Sequence, residues 1–89
     1  MRAIVTVIGK DRKGIIASVC QQLSQVGVNV LDISQTILRE YFTMIMIVDT
    51  SDCSLPFRDL VSEMEKRGEE TGLSVRVQRE DIFDAMHRI

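Results

Sequence analysis

The hydrophobic and polar positions of this 89-residue chain fall into segments with two different periods. Residues 2–8 (RAIVTVI) are rich in β-branched side chains and apolar at positions of both parities. That pattern predicts a strand covered on both faces, and therefore a central one. Gly9 closes it. From Ile15 the period lengthens. Ile15, Ile16, Val19, Cys20, Leu23 and Val26 recur at three- and four-residue steps, which marks a helix with one buried stripe. Ser18, Gln21, Gln22 and Gln25 take the other side. Asp11 is the expected N-cap, because its carboxylate can accept from the free N–H groups of a starting helix. Gly27 is the expected residue just past the helix end, where left-handed backbone carries no Cβ penalty.

Residues 28–38 predict a second strand whose alternation changes phase near Leu31. Val28 and Val30 share one parity, Ile33 and Ile37 the other; a β-bulge accounts for the change. A tight turn is expected at Glu40, followed by a third strand over residues 41–48 (YFTMIMIV), again apolar on both faces. After a polar loop, Pro56 is expected in the first turn of a second helix, where its missing N–H does no harm. Ser54 or Leu55 would then be the cap. Phe57, Leu60, Val61 and Met64 form the buried stripe, and Glu65, Lys66, Arg67, Glu69 and Glu70 a solvated end stopped by Gly72. Residues 73–77 (LSVRV) alternate cleanly, as a strand with one wet face does. Residues 80–89 carry Ile82, Phe83, Met86 and Ile89 at helical steps. They predict a short amphipathic helix packed on its own domain or on a neighbour.

The order β-α-β-β-α-β over this length predicts an α+β, ferredoxin-like fold: a four-stranded antiparallel sheet with two helices on one face, plus the short C-terminal helix. One domain over residues 1–89 is expected, with 80–89 as its helical extension. The first and third strands become central and the second an exposed edge. An edge of that kind needs covering, so a homodimer or a higher even oligomer is expected.

Composition narrows the function. The formal net charge is −2 and no Lys/Arg block interrupts the chain, so the basic footprint of a nucleic-acid binder is missing. An RNA-recognition sheet needs stacking aromatics on its central strands; here the first has none and the third only Tyr41 and Phe42, adjacent and so on opposite faces. No apolar run is long enough to span a bilayer and no leader pattern precedes the first strand, so a cytoplasmic protein without membrane contact is expected. Cys20 and Cys53 form no metal-ligand spacing and read as two unpaired thiols, the first buried. The one histidine, His87, lacks an orienting partner motif, and the acidic clusters read as solvated faces. No catalytic residue, metal or cofactor is expected, and the chain does not read as an enzyme.

The segment of unusual character is VIGKDRKGI, residues 7–15, together with Gly27, Val28, Asn29 and Val30. Here a strand ends, a polar loop turns and a helix begins. A helix N-terminus presents free N–H groups and a positive dipole end to a carboxylate. Gly14 permits close approach to the backbone, and Asp11 can pair with an ammonium. An amino acid carries both charges. The structural alternative is that Asp11 only caps the helix and Gly14 only relieves crowding.

On these residues the chain resembles the ACT-domain family. The matches are Asp11-Arg12-Lys13-Gly14-Ile15 at the turn into the first helix, then Gly27-Val28-Asn29-Val30, Asp32-Ile33 and Gln35, with Phe42-Thr43-Met44 in the third strand. Lys13 stands where the family often has proline. Within the family the chain is most similar to stand-alone single-domain members, which resemble the ACT portions of the glycine-cleavage transcriptional repressor. The resemblance implies a regulatory module that binds an amino acid or another small effector between copies paired through the first helix and second strand. It carries ligand-binding roles to Gly9, Asp11, Arg12, Gly14 and Ile15 of the loop, and to Asn29 of a neighbouring copy. A ligand-free interaction subunit that docks on another protein is the second reading.

Overall fold

The computed structural model describes residues 1–10 and 13–81. The elements run β1 (Arg2–Lys10), α1 (Ile15–Gln25), β2 (Asn29–Leu38), β3 (Tyr41–Asp49), α2 (Phe57–Glu70) and β4 (Ser74–Arg79). The four strands form one antiparallel sheet in the order β2-β3-β1-β4. This is the expected ferredoxin-like plan, with the two strands of two-sided apolar character at the centre. Of the C-terminal helix expected over 80–89, residues 82–89 lie outside the described residues.

Register explains the core. Ala3, Val5 and Val7 of β1 stand opposite Val48, Met46 and Met44 of β3, and all six are fully buried. They meet Ile15, Val19 and Leu23 of α1 and Leu60 and Met64 of α2 in one cluster with Val75 and Val77 of β4. Burying a side chain of this size contributes about 1.5–3 kcal/mol, so this layer carries the stability of the domain. The phase change near Leu31 is a real bulge: the β2–β3 register shifts between Val30 and Asp32. It turns Ile33, Gln35 and Ile37 onto the helix side of the sheet, opposite Met46, Met44 and Phe42.

Both helices stop as Gly27 and Gly72 forecast. Gly27 adopts φ 81°. Its N–H donates to Ser24 O at 3.0 Å and that of Val28 to Leu23 O at 2.9 Å, the paired bonds of a Schellman ending. Val28 and Leu23 are both buried and supply its apolar contact. At the other helix Leu73 N donates to Gly68 O at 2.8 Å and is buried in the same way.

Four expectations need correction. The N-cap of α1 is Gly14, at φ 85°, with no side-chain cap bond; Asp11 sits too far before Ile15 to occupy that position and lies outside the described residues. Pro56 is itself the N-cap of α2, in extended backbone at ψ 150°. Its carbonyl accepts the first bonds, from Asp59 at 2.9 Å and Leu60 at 3.0 Å, which displaces Ser54 and Leu55 from that role. Cys20 is half-buried, at the flank of its stripe. Finally, the apolar second face of β1 and β3 is uncovered over much of its length among the described residues, with Ile8 47% and Ile45 41% exposed.

Candidate functional site

The functional candidates gather where β1 gives way to α1. Gly9 still belongs to the ladder, opposite Phe42. A Cβ there would lie 2.5 Å from Leu73 Cδ2, so the missing side chain makes room for Leu73. Gly14 is the opposite case. A Cβ on Gly14 would meet nothing within 4 Å, so it relieves no crowding; its left-handed φ of 85° is what favours glycine. The space in front of Gly14 is open.

That space is the end of a groove of about 500 Å³ between α1 and β2. Gly14, Ile15, Ile16 and Ala17 form one wall, Gln35 and Ile37 the other, and Phe42 also lines it. The first intrahelical bond of α1 runs from Ser18 N to Gly14 O at 2.9 Å. Amides before Ser18 therefore have no carbonyl of their own helix to bond. The first turn carries no acidic residue and no side-chain cap, so nothing in α1 neutralises the positive end of its dipole. Among the described residues Gln35 is the sole polar side chain of the lining. The groove is an apolar slot with N–H donors at one end and an amide on one wall, which suits a small molecule with a carboxylate and an apolar body.

The candidates divide on this geometry. The structure brings Gly14 and Ile15 to the groove. Asp11 and Arg12 fall outside the described residues. Asn29 begins β2, opposite Asp49, at the far end of the strand from Ile37, roughly 25 Å away at ~3.3 Å per residue. By register it shares the open face with Arg2 and not the helix face with Gln35. Within one chain it therefore does not meet Gly14. A second β2 running antiparallel beside the first would carry its Asn29 to the Leu38 end, next to the loop. The groove residues that the loop motif left out are Ile16, Ala17, Gln35, Ile37 and Phe42. The parity change at Leu31 was the signal for Gln35 and Ile37, because it puts them on the helix side.

Other candidates fit less well. A smaller groove of about 250 Å³ lies between the two helices, lined in part by Gln22, Gln25, Glu63 and Arg67. Its one cation, Arg67, is already paired with Glu63 at 2.9 Å. The carboxyls of Asp49 and Glu80 are both held below the usual range, the first by the hydroxyl and amide of Ser51, the second by the guanidinium of Arg2. Both are partly exposed and belong to the opposite end of the sheet from the groove, where their partners are local. Among the described residues no three His, Cys, Asp or Glu side chains come together as a metal site. No described helix is long and apolar enough to cross a membrane.

Comparison with known proteins agrees with this architecture. The family model described as ACT domain matches residues 2–78. A UPF0237 protein of Clostridium acetobutylicum is 48% identical over the whole of both chains. One of Methanocaldococcus jannaschii is 52% identical over 99% of this chain and 98% of its own. The solved ACT domain protein from Streptococcus pneumoniae has a TM-score of 0.82 at 44% identity, covering 98% of each chain. A putative glycine cleavage system transcriptional repressor superposes at TM-score 0.73 with 22% identity, over 86% of this chain and 44% of that one; at that identity the likeness is one of fold. With its βαββαβ sheet and its family match over nearly the full length, this chain belongs to the ACT-domain family.

Proposed function

We propose that the chain is a regulatory module without chemistry of its own, which binds an amino acid between paired copies and acts in the cytoplasm. The observation that carries this reading is β2. It is a ten-residue edge strand, exposed over almost its whole length, with Leu31, Ile33, Ile37 and Leu38 between 39% and 72% exposed. It borders the groove at the N-terminus of α1. A neighbour's β2 laid antiparallel along it would extend the sheet, bury those side chains and wall the groove. The ligand carboxylate would meet the amides near Gly14 and Ile15, where the helix dipole contributes about 0.3–1 kcal/mol. Its ammonium would face Gln35, the loop that holds Gly9, Asp11 and Arg12, or the neighbour's Asn29. The two unpaired cysteines suit a reducing compartment. The ligand-free reading shares the paired edge but gives the open amides of α1 no task.

The test is a thermal-shift screen against the twenty amino acids, followed by titration calorimetry of any that raise the melting temperature. A ligand this small is expected to bind with Kd of roughly 10 µM to 1 mM, or about −7 to −4 kcal/mol. Asn29→Ala and Gln35→Ala are each expected to weaken it by at least about tenfold, the cost of one lost polar contact. Binding that only Gln35→Ala weakens would keep the groove and remove Asn29 from the site. If no amino acid shifts the melt, the ligand-free reading stands instead.

A further inference from the structure

The face of the sheet away from the helices carries a second apolar surface. Register puts Ile4, Thr6 and Ile8 of β1 on it, beside Ile47, Ile45 and Thr43 of β3. Exposure rises along this strip, from 6% at Ile4 to 41% at Ile45 and 47% at Ile8. The buried end is the end at which the chain leaves β4, because Gln78 stands opposite Ile4. Arg2 shares the open face with Ile4. Its guanidinium grips Glu80 with two bonds, Nε to Oε2 at 2.6 Å and Nη2 to Oε1 at 2.7 Å. That fork pulls the chain from the edge strand back towards β1 on the open side. Glu80 and Asp81 then take up helical backbone, with two carboxylates in the first turn where the helix dipole favours them.

We propose that this open face is the seat of the chain's own last eight residues, 82–89. The lengths agree. Eight residues of helix extend about 12 Å at ~1.5 Å per residue, and the strip from Ile4 to Ile8 runs about 13 Å at ~3.3 Å per residue. The chemistry agrees as well. Ile82, Phe83, Met86 and Ile89 recur at the steps of one helical stripe, with Asp84, His87 and Arg88 between them. Laid from Glu80 along β1 and β3, that stripe covers Ile4, Ile47, Ile45 and Ile8. A tethered segment also meets its seat at far higher effective concentration than a second molecule does. The module then has two apolar surfaces with different occupants: its own C-terminus on the open face, a second copy along β2. This inference does not depend on the ligand reading.

The experiment is methyl and aromatic NMR on the full chain, with Ile methyls and Phe rings labelled. Through-space contacts are expected from the Phe83 ring to the methyls of Ile45 and Ile47. A sample mixing labelled and unlabelled chains should show them within one chain. They should survive Ile33→Lys/Ile37→Lys, which alters the β2 edge and the groove wall at Ile37 but leaves the open face untouched. A second variant, Ile45→Asp, removes an apolar contact at an already half-open position and should leave the fold intact. It should speed amide exchange over residues 83–89 by about tenfold or more relative to the parent. Contacts from Phe83 to Ile16 or Ile37 instead, contacts only between chains, no contacts at all, or an unchanged exchange rate in Ile45→Asp would each overturn the proposal.

Discussion

The two edges of the sheet are built to opposite rules. β4 is six residues long, presents Arg76 and Arg79, and backs directly onto α2. Gly68 lets that helix come close: a Cβ there would fall 2.6 Å from Val75 Cγ2 and 3.0 Å from Leu73 O. Arg76 reaches Glu65 of α2 at 3.5 Å. Short length, charge and a covering helix are the usual protections of an edge. β2 has little of this, its single charge being Asp32. It is ten residues long and carries four large exposed apolar side chains. A Leu or Ile fully buried instead is worth about 1.5–3 kcal/mol. One edge is finished within the chain; the other stands open among the described residues, and under the proposed function a second molecule completes it.

If β4 is finished internally, its stability must reside in α2. Met64→Ala, at a position 2% exposed, is expected to cost about 2–5 kcal/mol, read from denaturant unfolding and independent of protein concentration. Gly68→Ala separates helix from strand. Helix propensity alone favours alanine by about 0.5–1 kcal/mol, so a net loss of about 1–3 kcal/mol would come from the crowded contact. A neutral or stabilising result would mean that α2 shifts freely and that β4 is less firmly covered than its geometry indicates.

At β2 the expected effect falls on assembly. Ile33→Lys/Ile37→Lys gives this edge the charge that β4 already has. Light scattering should then report 10.1 kDa with the circular dichroism of the parent, since neither side chain lies in the core. Ile33→Ala should shift the midpoint of dissociation and leave the unfolding of the separated chain within about 0.5 kcal/mol.

The smallest effect concerns the corner where β1 starts and β4 ends. Arg2 holds the Glu80 carboxyl below its ordinary 4.5. A carboxyl lowered in the folded state stabilises it above the unfolded value, and that contribution is lost as pH falls through the folded value. Arg2→Ala should return the Glu80 titration, followed by NMR, towards its ordinary value and flatten the acid limb of stability. The pair sits at the surface, with the Arg2 side chain 56% and the Glu80 side chain 27% exposed, so the loss in stability at neutral pH should be small.

Much of this architecture was legible because period and parity report burial directly. The two-sided apolar runs of β1 and β3 placed them at the centre, and the phase change at Leu31 located the bulge. Gly27 and Gly72 marked both helix ends. What stayed hidden depends on through-space neighbours. Gly68 sits in a charged run, and nothing local tells that Val75 lies against it. Asp11 looks like a cap by residue type, but the cap falls three residues later, on a left-handed Gly14. Pro56 caps through its carbonyl, which composition does not show. In the site, the loop motif pointed to Gly14 and Ile15. Gln35 became visible as a groove residue only once the bulge had set its face, and Asn29 proved to lie at the wrong end of its own chain for Gly14.

The central claim is that β2 is completed by a second copy, and its most direct test is the mass of the unmodified chain in solution. Light scattering at micromolar concentration is expected to give an even multiple of 10.1 kDa, falling towards one chain on dilution. A constant 10.1 kDa across that range would contradict the account, because β2 would then stand open in water with Leu31, Ile33, Ile37 and Leu38 uncovered.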